Sequence, residues 1–298
     1  DFARTLFARA LETPGGLKIQ TIHAFCEALL HRFPLEANIA GHFELLDGEA
    51  QALLVAQARR GLLASAAQRG TGGAGEAVMR LLMITGESGM ERLLDEIVAR
   101  RLEIARVLER FSPATDRRAA YRAAFGFGPD EAAEDIAAPA WPLPGLTPDV
   151  LCTLSQGLRP DDAKKVAKLA HDALQAGARS DPVERLEALA PCFLTGKGEP
   201  RKTGGLFAKP AKALVPDIEE RFIQAREHCL AILDRVRLLR EVDATLDVLA
   251  VADALIARYE ALKRARGFLD FEDLIDRTAT MLLRTGASLW VRYKLDQG

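Results

Sequence analysis

The chain has 298 residues, of which 49% are hydrophobic and 28% are charged, and its formal net charge is −2. This composition is typical of a globular protein with one large core or two modest ones, and because the whole chain is not basic, any nucleic-acid contact must use a local basic patch. No apolar run approaches the roughly 20 residues of a membrane-spanning helix and the first residues lack a secretory signal, so we expect a cytoplasmic protein with no membrane partner.

The first elements in chain order are a helix, a short strand and a second helix. Apolar residues at spacings of three and four predict a helix over residues 2–11, which ends before Pro14. Alternation and β-branched residues at 17–22 predict a strand, and a helical pattern follows over 23–33. Because the chain begins without Met, inside what resembles an internal helix, we interpret it as a piece of a longer protein.

Helical patterns dominate the rest of the chain. Five prolines between 126 and 149 predict an irregular connection. No Gly or Pro occurs from 217 to 266, which predicts one or two long helices there, stopped by Gly267. The other predicted helices are, in order, 47–63, 76–83, 90–111, 161–175 and 183–189.

Acidic residues cluster after Gly267, at Asp270, Glu272, Asp273 and Asp276. Asp270 stands where the N-cap of the last predicted helices belongs, and Asp273 matches the acidic member of a capping box. We therefore predict structural capping by Asp270 and Asp273. A metal site, or a hydrolase that uses this cluster, is the less favoured interpretation, and the four cysteines, which form no C-x-x-C pair, do not suggest a metal either.

Glycine-rich motifs do not predict a nucleotide site. The run at 70–75 matches G-x-G-x-x-G, but a predicted helix precedes it where a dinucleotide-binding fold requires a strand. We interpret this run as an interhelical loop. No G-x-x-x-x-G-K-[ST] occurs anywhere in the chain, so we expect no ATP hydrolysis by this chain alone.

Two segments are candidates for phosphate contact. At the predicted strand-to-helix turn, Thr21 and His23 can donate hydrogen bonds together with free backbone amides. The loop at 196–212 is basic through Lys197, Arg201 and Lys202, with Lys209 and Lys212 near its end. Such a loop either binds a nucleic-acid backbone or is an ordinary solvated loop, and the sequence leaves both open.

A second basic stretch lies between residues 100 and 122. Acidic residues dilute it, so we interpret it as a solvated helix face. Its members are Arg100, Arg101, Arg106, Arg110, Arg117, Arg118 and Arg122.

Two motifs carry a family resemblance. The sequences K-I-Q-T-I-H-A-F-C at 18–26 and L-D-F-E-D-L-I at 269–275 resemble landmarks of superfamily 1 DNA helicases of the UvrD, Rep and RecB type. Within that family, residues 10–26 and 193–202 look most like the AddA type of helicase-nuclease subunit, which acts in double-strand-break repair and recombination.

The resemblance implies a mainly α fold with a small α/β flank. It assigns 1–33 to motor subdomain 1A, 34–266 to a helical insert called subdomain 1B, and 267–298 to helices that return to 1A. It places Thr21 and His23 on the translocating DNA strand. It also implies a bacterial cytoplasmic protein whose parent binds ATP and magnesium and carries a nuclease outside this chain, and for the chain itself no cofactor.

Two functions follow as expectations. The first is a non-catalytic fragment that contacts DNA at a junction of single strand and duplex, with Thr21, His23, Lys197, Arg201 and Lys202 as its DNA-binding residues. The alternative is a helical interaction module that docks a partner such as an AddB-like subunit.

Overall fold

The computed structural model describes residues 20–67, 73–111, 114–158, 160–283 and 287–296. Within these ranges it contains thirteen α-helices and one sheet of two short strands, which confirms the mainly helical fold. We find among these helices none that combines the length and the apolar character needed to span a bilayer. The helix predicted at 2–11 and the first half of the glycine run at 70–75 lie outside the described residues. In the second half, Gly73 is the N-cap of the helix that begins at Ala74, so the predicted interhelical loop ends there.

Packing divides the chain into two compact units. Unit 1 comprises Asp1–Arg106 and Leu249–Gly298, and unit 2 comprises Val107–Val248. The resemblance implies subdomain boundaries after residues 33 and 266. The two units describe packing alone and do not test these boundaries, which stay a prediction. The elements of unit 1 are, in chain order, α1 (Ile22–Arg32), β1 (Glu44–Leu45), α2 (Gly48–Ala67), α3 (Ala74–Ala99), the first half of α4 (Arg101–Arg110), the end of α11 (Ile218–Arg266), β2 (Phe268–Leu269), α12 (Phe271–Leu283) and α13 (Ala287–Asp296).

The strand predicted at 17–22 is wrong where it can be compared. Residues 17–19 lie outside the described residues, Gln20 is not in a strand, and Thr21 is an extended N-cap with φ −69° and ψ 157°. Ile22 is already the first residue of α1. The β-branched side chains of Thr21 and Ile22 favour a strand, but the Thr21 hydroxyl accepts a hydrogen bond from the Ala24 amide at 3.2 Å, which starts a helix instead.

The two strands of unit 1 pair in parallel elsewhere. Glu44 lies opposite Phe268, and Leu45 lies opposite Leu269. Gly267 ends the long helix α11 with a φ of +67°, a conformation that glycine adopts without steric cost. The Gly267 carbonyl also accepts a hydrogen bond from the Glu44 amide at 3.0 Å. The residue that ends α11 therefore also takes part in the hydrogen bonding between the segments that carry β1 and β2.

A hydrophobic core in unit 1 joins α1, α12 and α13. Leu29 and Leu30 of α1 are buried against Leu274 and Met281 of α12 and Val291 of α13. Phe33 and Phe43, in the segment after α1, are buried in the same core. On α3, the helices predicted at 76–83 and from 90 onward are separated by Gly86, whose φ of +67° interrupts the helix.

Unit 2 has a larger core built around the first part of α11. Phe222 of α11 contacts the rings of Phe193 and Phe207, with 5.4 Å between ring centroids in both cases. The helix-spaced side chains Cys229 and Val236 continue the buried face. The other helices of unit 2 are the end of α4, then α5 (Ala114–Ala124), α6 (Ala133–Ala137), α7 (Pro148–Gly157), α8 (Pro160–Gly177), α9 (Pro182–Phe193) and α10 (Lys209–Leu214).

The prediction of a solvated arginine face is wrong for Arg101 and Arg122, which are only 2% and 5% exposed. In unit 2 the Arg122 guanidinium makes two hydrogen bonds to the Asp243 carboxylate, at 2.9 and 2.6 Å. It also donates to the Pro129 carbonyl at 2.9 Å. A planar guanidinium with five donors can be buried when carboxylate and carbonyl oxygens satisfy it in this way.

Candidate nucleic-acid interface

The start of α1 presents hydrogen-bond donors at an exposed surface. Thr21 is exposed, and the Ile22 side chain is 60% exposed. The first amides of a helix have no acceptor within it, and the N–H groups of Ile22 and His23 donate to no acceptor in the described part of the chain, so they can donate to an external one. The Thr21 hydroxyl accepts from Ala24 and can still donate its own proton.

The two motifs, separated by more than 240 positions in the sequence, meet at one contact. The His23 ring packs edge-on against the ring of Phe271, with 5.2 Å between centroids and an interplanar angle of 83°. Phe271 is the first residue of α12 and is 45% exposed, and Phe25 on α1 is 38% exposed. We call the set Thr21, Ile22, His23, Phe25 and Phe271 the motif junction. It combines hydrogen-bond donors with exposed apolar rings.

Asp270 and Asp273 form the two hydrogen bonds of a capping box at the start of α12. The Asp270 amide donates to the Asp273 carboxylate at 3.0 Å, and the Asp273 amide donates to the Asp270 carboxylate at 3.0 Å. Aspartate therefore acts at both positions, although glutamate or glutamine is usual at the second. The pair fixes the backbone that carries Phe271.

A buried ion cluster surrounds the same two aspartates. Arg101 approaches Asp270 at 2.5 Å, and Lys263 lies 3.2 Å from Asp270 and 2.6 Å from Asp273. Tyr259 donates its hydroxyl proton to Asp270 at 3.0 Å. The four charged side chains are at most 6% exposed, so two cations and two anions balance one another away from water.

Two further carboxylates flank the ion cluster. Glu272 pairs with Arg101 at 2.5 Å and Glu260 pairs with Lys263 at 2.8 Å. Their side chains are 49% and 25% exposed, so water screens both pairs more than the buried ones. The Lys263 ammonium bridges Asp270 and Asp273.

The electrostatics of the ion cluster follow from burial and charge. Burial alone would raise the pKa of Asp270, but Lys263 and Arg101 together hold it below its ordinary value. Burial alone would lower the pKa of Arg101, and Asp270 and Glu272 raise it instead. The pKa of Tyr259 is raised, first by burial and then by the neighbouring Asp270. At neutral pH, Asp270 is therefore a carboxylate that accepts hydrogen bonds, while Tyr259 remains a neutral donor.

The residue pattern predicts the role of the two aspartates but not their cationic partners. Arg101 has the local pattern of a solvated helix face, and Lys263 is one of several charged residues near the end of α11. One signal was present: Tyr259 and Lys263 are four residues apart, so they share a face of α11. Nothing in the sequence shows that this face lies against Asp270.

In unit 2 the basic loop begins with a tight hairpin. The Gly198 amide donates to the Thr195 carbonyl at 2.9 Å, and the Thr195 amide donates to the Glu199 carbonyl at 2.8 Å. Gly198 has a φ of +80°, which suits glycine in such a turn. Lys197 is exposed at its tip and Lys202 is exposed further along. Neither lysine makes an ion pair with a side chain that the structure describes.

Arg201 differs from these lysines because its side chain helps to build the loop. It donates from Nε to the Leu194 carbonyl at 2.7 Å and from one terminal nitrogen to the Pro191 carbonyl at 3.1 Å. These carbonyls lie at the end of α9, where cationic side chains commonly satisfy free acceptors. The loop is also shorter than predicted, since Lys209 and Lys212 lie on α10, and Lys212 pairs with Glu219 at 3.1 Å.

Comparison of the sequence with models of known protein families and with curated proteins finds no match. The arrangement of side chains in the two units is therefore the basis for the functional argument. In unit 1 the relevant arrangement is the motif junction held by the capping box and the ion cluster. In unit 2 it is the hairpin with its exposed lysines.

Proposed function

We propose that this chain is the DNA-contacting part of a superfamily 1 helicase of the AddA type, comprising the helical insert and adjoining pieces of the motor. The observation that carries the proposal is the contact of His23 with Phe271. In the helicases that the two motifs resemble, both motifs belong to the same motor subdomain, so their meeting in unit 1 supports common ancestry.

The motif junction has the chemistry that backbone binding requires. Thr21 and the free amides of α1 supply donors for phosphate oxygens, and the positive end of the helix dipole favours an anion. The exposed rings of Phe25 and Phe271 offer faces on which a base can stack. Contacts of these kinds hold a single strand without reading its sequence.

The ion cluster acts as a positioning device in this proposal. It holds the first turn of α12, and hence Phe271, at the place where His23 packs. Breaking a buried ion pair leaves one charge without its partner, at a cost of about 3–5 kcal/mol, so the position of α12 is strongly specified.

This sequence does not contain the ATP-binding loop of the proposed motor. No phosphate-binding loop of the form G-x-x-x-x-G-K-[ST] occurs, so the ATP, the magnesium and the nuclease of such a protein belong to other segments. The proposal predicts that this chain binds DNA without turning over ATP. Its binding should be independent of sequence and should weaken as salt rises.

The test is fluorescence anisotropy with a DNA that carries a junction of single strand and duplex, titrated at several salt concentrations. His23→Phe keeps a ring against Phe271 but removes both ring nitrogens, so a loss of affinity without a loss of stability isolates the donor role. The matched variant is Arg32→Gln, a change at an exposed residue at the far end of the same helix.

A charge test addresses the loop separately. We expect Lys197→Gln with Lys202→Gln to weaken binding and to reduce its salt dependence. The control, Lys164→Gln with Lys209→Gln, changes the net charge equally at exposed lysines outside the hairpin. Arg201 is left unchanged because it also holds the end of α9. Binding that does not respond to salt, or that is equal in all three proteins, contradicts the proposal.

The alternative function, a module that docks an AddB-like partner subunit, is favoured by one observation. Met79, Met83 and Ile84, just before the Gly86 interruption in α3, are 51%, 86% and 68% exposed. Exposed apolar side chains that are close together are typical of interaction surfaces. Co-purification with such a subunit that is abolished by Met83→Ser with Ile84→Ser, in a chain that does not bind DNA, would favour this alternative.

A further inference from the structure

We propose that a cavity in unit 2 binds backbone phosphates of the single-stranded DNA, next to the basic hairpin. This inference rests on the proposed function and names a place where the strand binds. The cavity has a volume of about 500 Å³ and lies among α8, α9 and the loop that follows α9. A volume of this size is in the range of sites that hold a nucleotide-sized group.

Three cationic side chains line this cavity against one carboxylate. Lys165 and Lys168 come from α8, Arg201 comes from the loop, and Asp172 is the carboxylate. The two lysines are three residues apart, so they lie on the same face of α8. Both are exposed, and neither makes an ion pair with a side chain that the structure describes. Neither lysine is a candidate on the sequence pattern alone.

Arg201 is held in place before any ligand binds. Its hydrogen bonds to the Leu194 and Pro191 carbonyls fix the guanidinium plane at the cavity wall. The other terminal nitrogen, Nη1, makes no hydrogen bond to a described residue and can donate to a phosphate oxygen. Because the ordering of the side chain precedes binding, less conformational entropy is lost when the anion arrives.

The remaining lining indicates which part of the strand enters. Leu169, Ala188, Pro191 and Leu206 are aliphatic and Cys192 is a buried thiol, and no aromatic ring on which a base could stack is among the described lining residues. The contacts available are therefore those of cations with phosphate and of aliphatic carbons with sugar. This chemistry favours the backbone of a nucleic acid and is independent of base sequence.

The experiment measures binding of a short fluorescein-labelled oligothymidylate over a series of salt concentrations. The variant is Lys165→Gln with Lys168→Gln, and the control is again Lys164→Gln with Lys209→Gln, which lie outside the cavity lining and change the net charge equally. Each phosphate contact contributes roughly 0.7 to the slope of log K against log salt for single strands. We expect the variant to reduce this slope by about 1.4 and the control to leave it unchanged.

The outcomes separate this inference from the proposed function. If the native chain and both variants bind the oligonucleotide with equal affinity and slope, the cavity assignment is wrong while the DNA-binding function stands. If the native chain does not bind it at low salt, the proposed function is wrong and the cavity assignment falls with it. A titration with inorganic phosphate, followed by the methyl resonances of Leu169 and Leu206, distinguishes a free-phosphate site. Saturation by phosphate without binding of the oligonucleotide would overturn the assignment to nucleic acid.

Discussion

Replacing Arg101 with Met should destabilise unit 1 far more than the same change at its neighbour Arg100. Arg101 is 2% exposed and its guanidinium pairs with Asp270, which is 1% exposed. Without the arginine, Asp270 keeps only Lys263 as a cationic partner, at 3.2 Å. Breaking a buried pair costs about 3–5 kcal/mol. The lost pair with the half-exposed Glu272 adds less than about 1 kcal/mol because water screens it.

Arg100 provides the matched control for this prediction. Its side chain is 64% exposed and pairs with Glu96 at 2.6 Å, one helical turn away. Pairs of this kind contribute about 0.3–0.5 kcal/mol, so Arg100→Met should lower the free energy of unfolding by no more than that. Both variants replace arginine by the same unbranched, uncharged side chain. The main difference between them is that the charge is lost from a buried site in Arg101→Met and from an exposed site in Arg100→Met.

The assay is hydrogen exchange of the amides of α12, measured as a function of urea, because this helix begins within the ion cluster. We expect Arg101→Met to lower the free energy of opening of α12 by about 3–5 kcal/mol. Arg100→Met should give values close to those of the native chain. Equal protection of α12 in the two variants would refute the reasoning, since it would mean that the buried pair with Asp270 does not stabilise unit 1.

Three further predictions concern the same fold. The pKa of Asp270 is lowered in the folded chain, so its ion pairs stabilise unit 1 fully above the ordinary aspartate pKa of about 4, and this stabilisation is lost as the pH falls through the folded value. In thermal unfolding, Asp270→Asn should therefore lose less stability between neutral and acid pH than the native chain does. An equal loss of stability in the two proteins would contradict this role of Asp270. Thr21→Ala should cost about 1 kcal/mol of stability because the N-cap of α1 is lost. Thr21→Ser keeps the hydroxyl and should be nearly neutral, and a urea titration of both variants measures the difference. Gly177→Ala should lower the free energy of unfolding by about 1–3 kcal/mol, because its added methyl group would overlap the Trp141 ring. Gly196→Ala is the control, since its methyl group meets nothing within 4 Å, and it should be close to neutral in thermal unfolding. Similar losses of stability in the two variants would disprove the steric explanation.

The sequence predicted the longer helices because their signals are local, but it did not predict α5, α7 or α10. The stretch without Gly or Pro from 217 to 266 is one helix, Ile218–Arg266, and Gly267 stops it with a positive φ. The irregular connection predicted from five prolines contains only the short helix α6 and one 3-10 turn before α7 begins at Pro148. Glycine and proline act through the backbone of their own neighbourhood, so their effects can be read without knowing the fold.

The candidate site was less predictable because its partners are distant in sequence. Arg101 and Asp270 are 169 positions apart, and a surface and a buried arginine have the same local pattern. The strand predicted near Thr21 failed for a related reason. Side-chain propensity favours a strand there, but one hydrogen bond from the Ala24 amide to the Thr21 hydroxyl decides for the helix, and such competition is not visible in residue types alone.

Both motifs that resemble helicase landmarks also contain residues that stabilise this fold. Thr21 caps α1, and Asp270 and Asp273 cap α12 while they neutralise two buried cations. A simple loss of DNA binding on mutation of these residues would therefore not distinguish contact from folding. His23 is the more informative residue, because its contact with Phe271 depends on ring shape, whereas any bond to phosphate depends on its ring nitrogens. A variant that keeps the ring and removes the nitrogens separates the two duties, and its affinity for DNA decides whether the junction of the two motifs is a binding surface or only a packing contact.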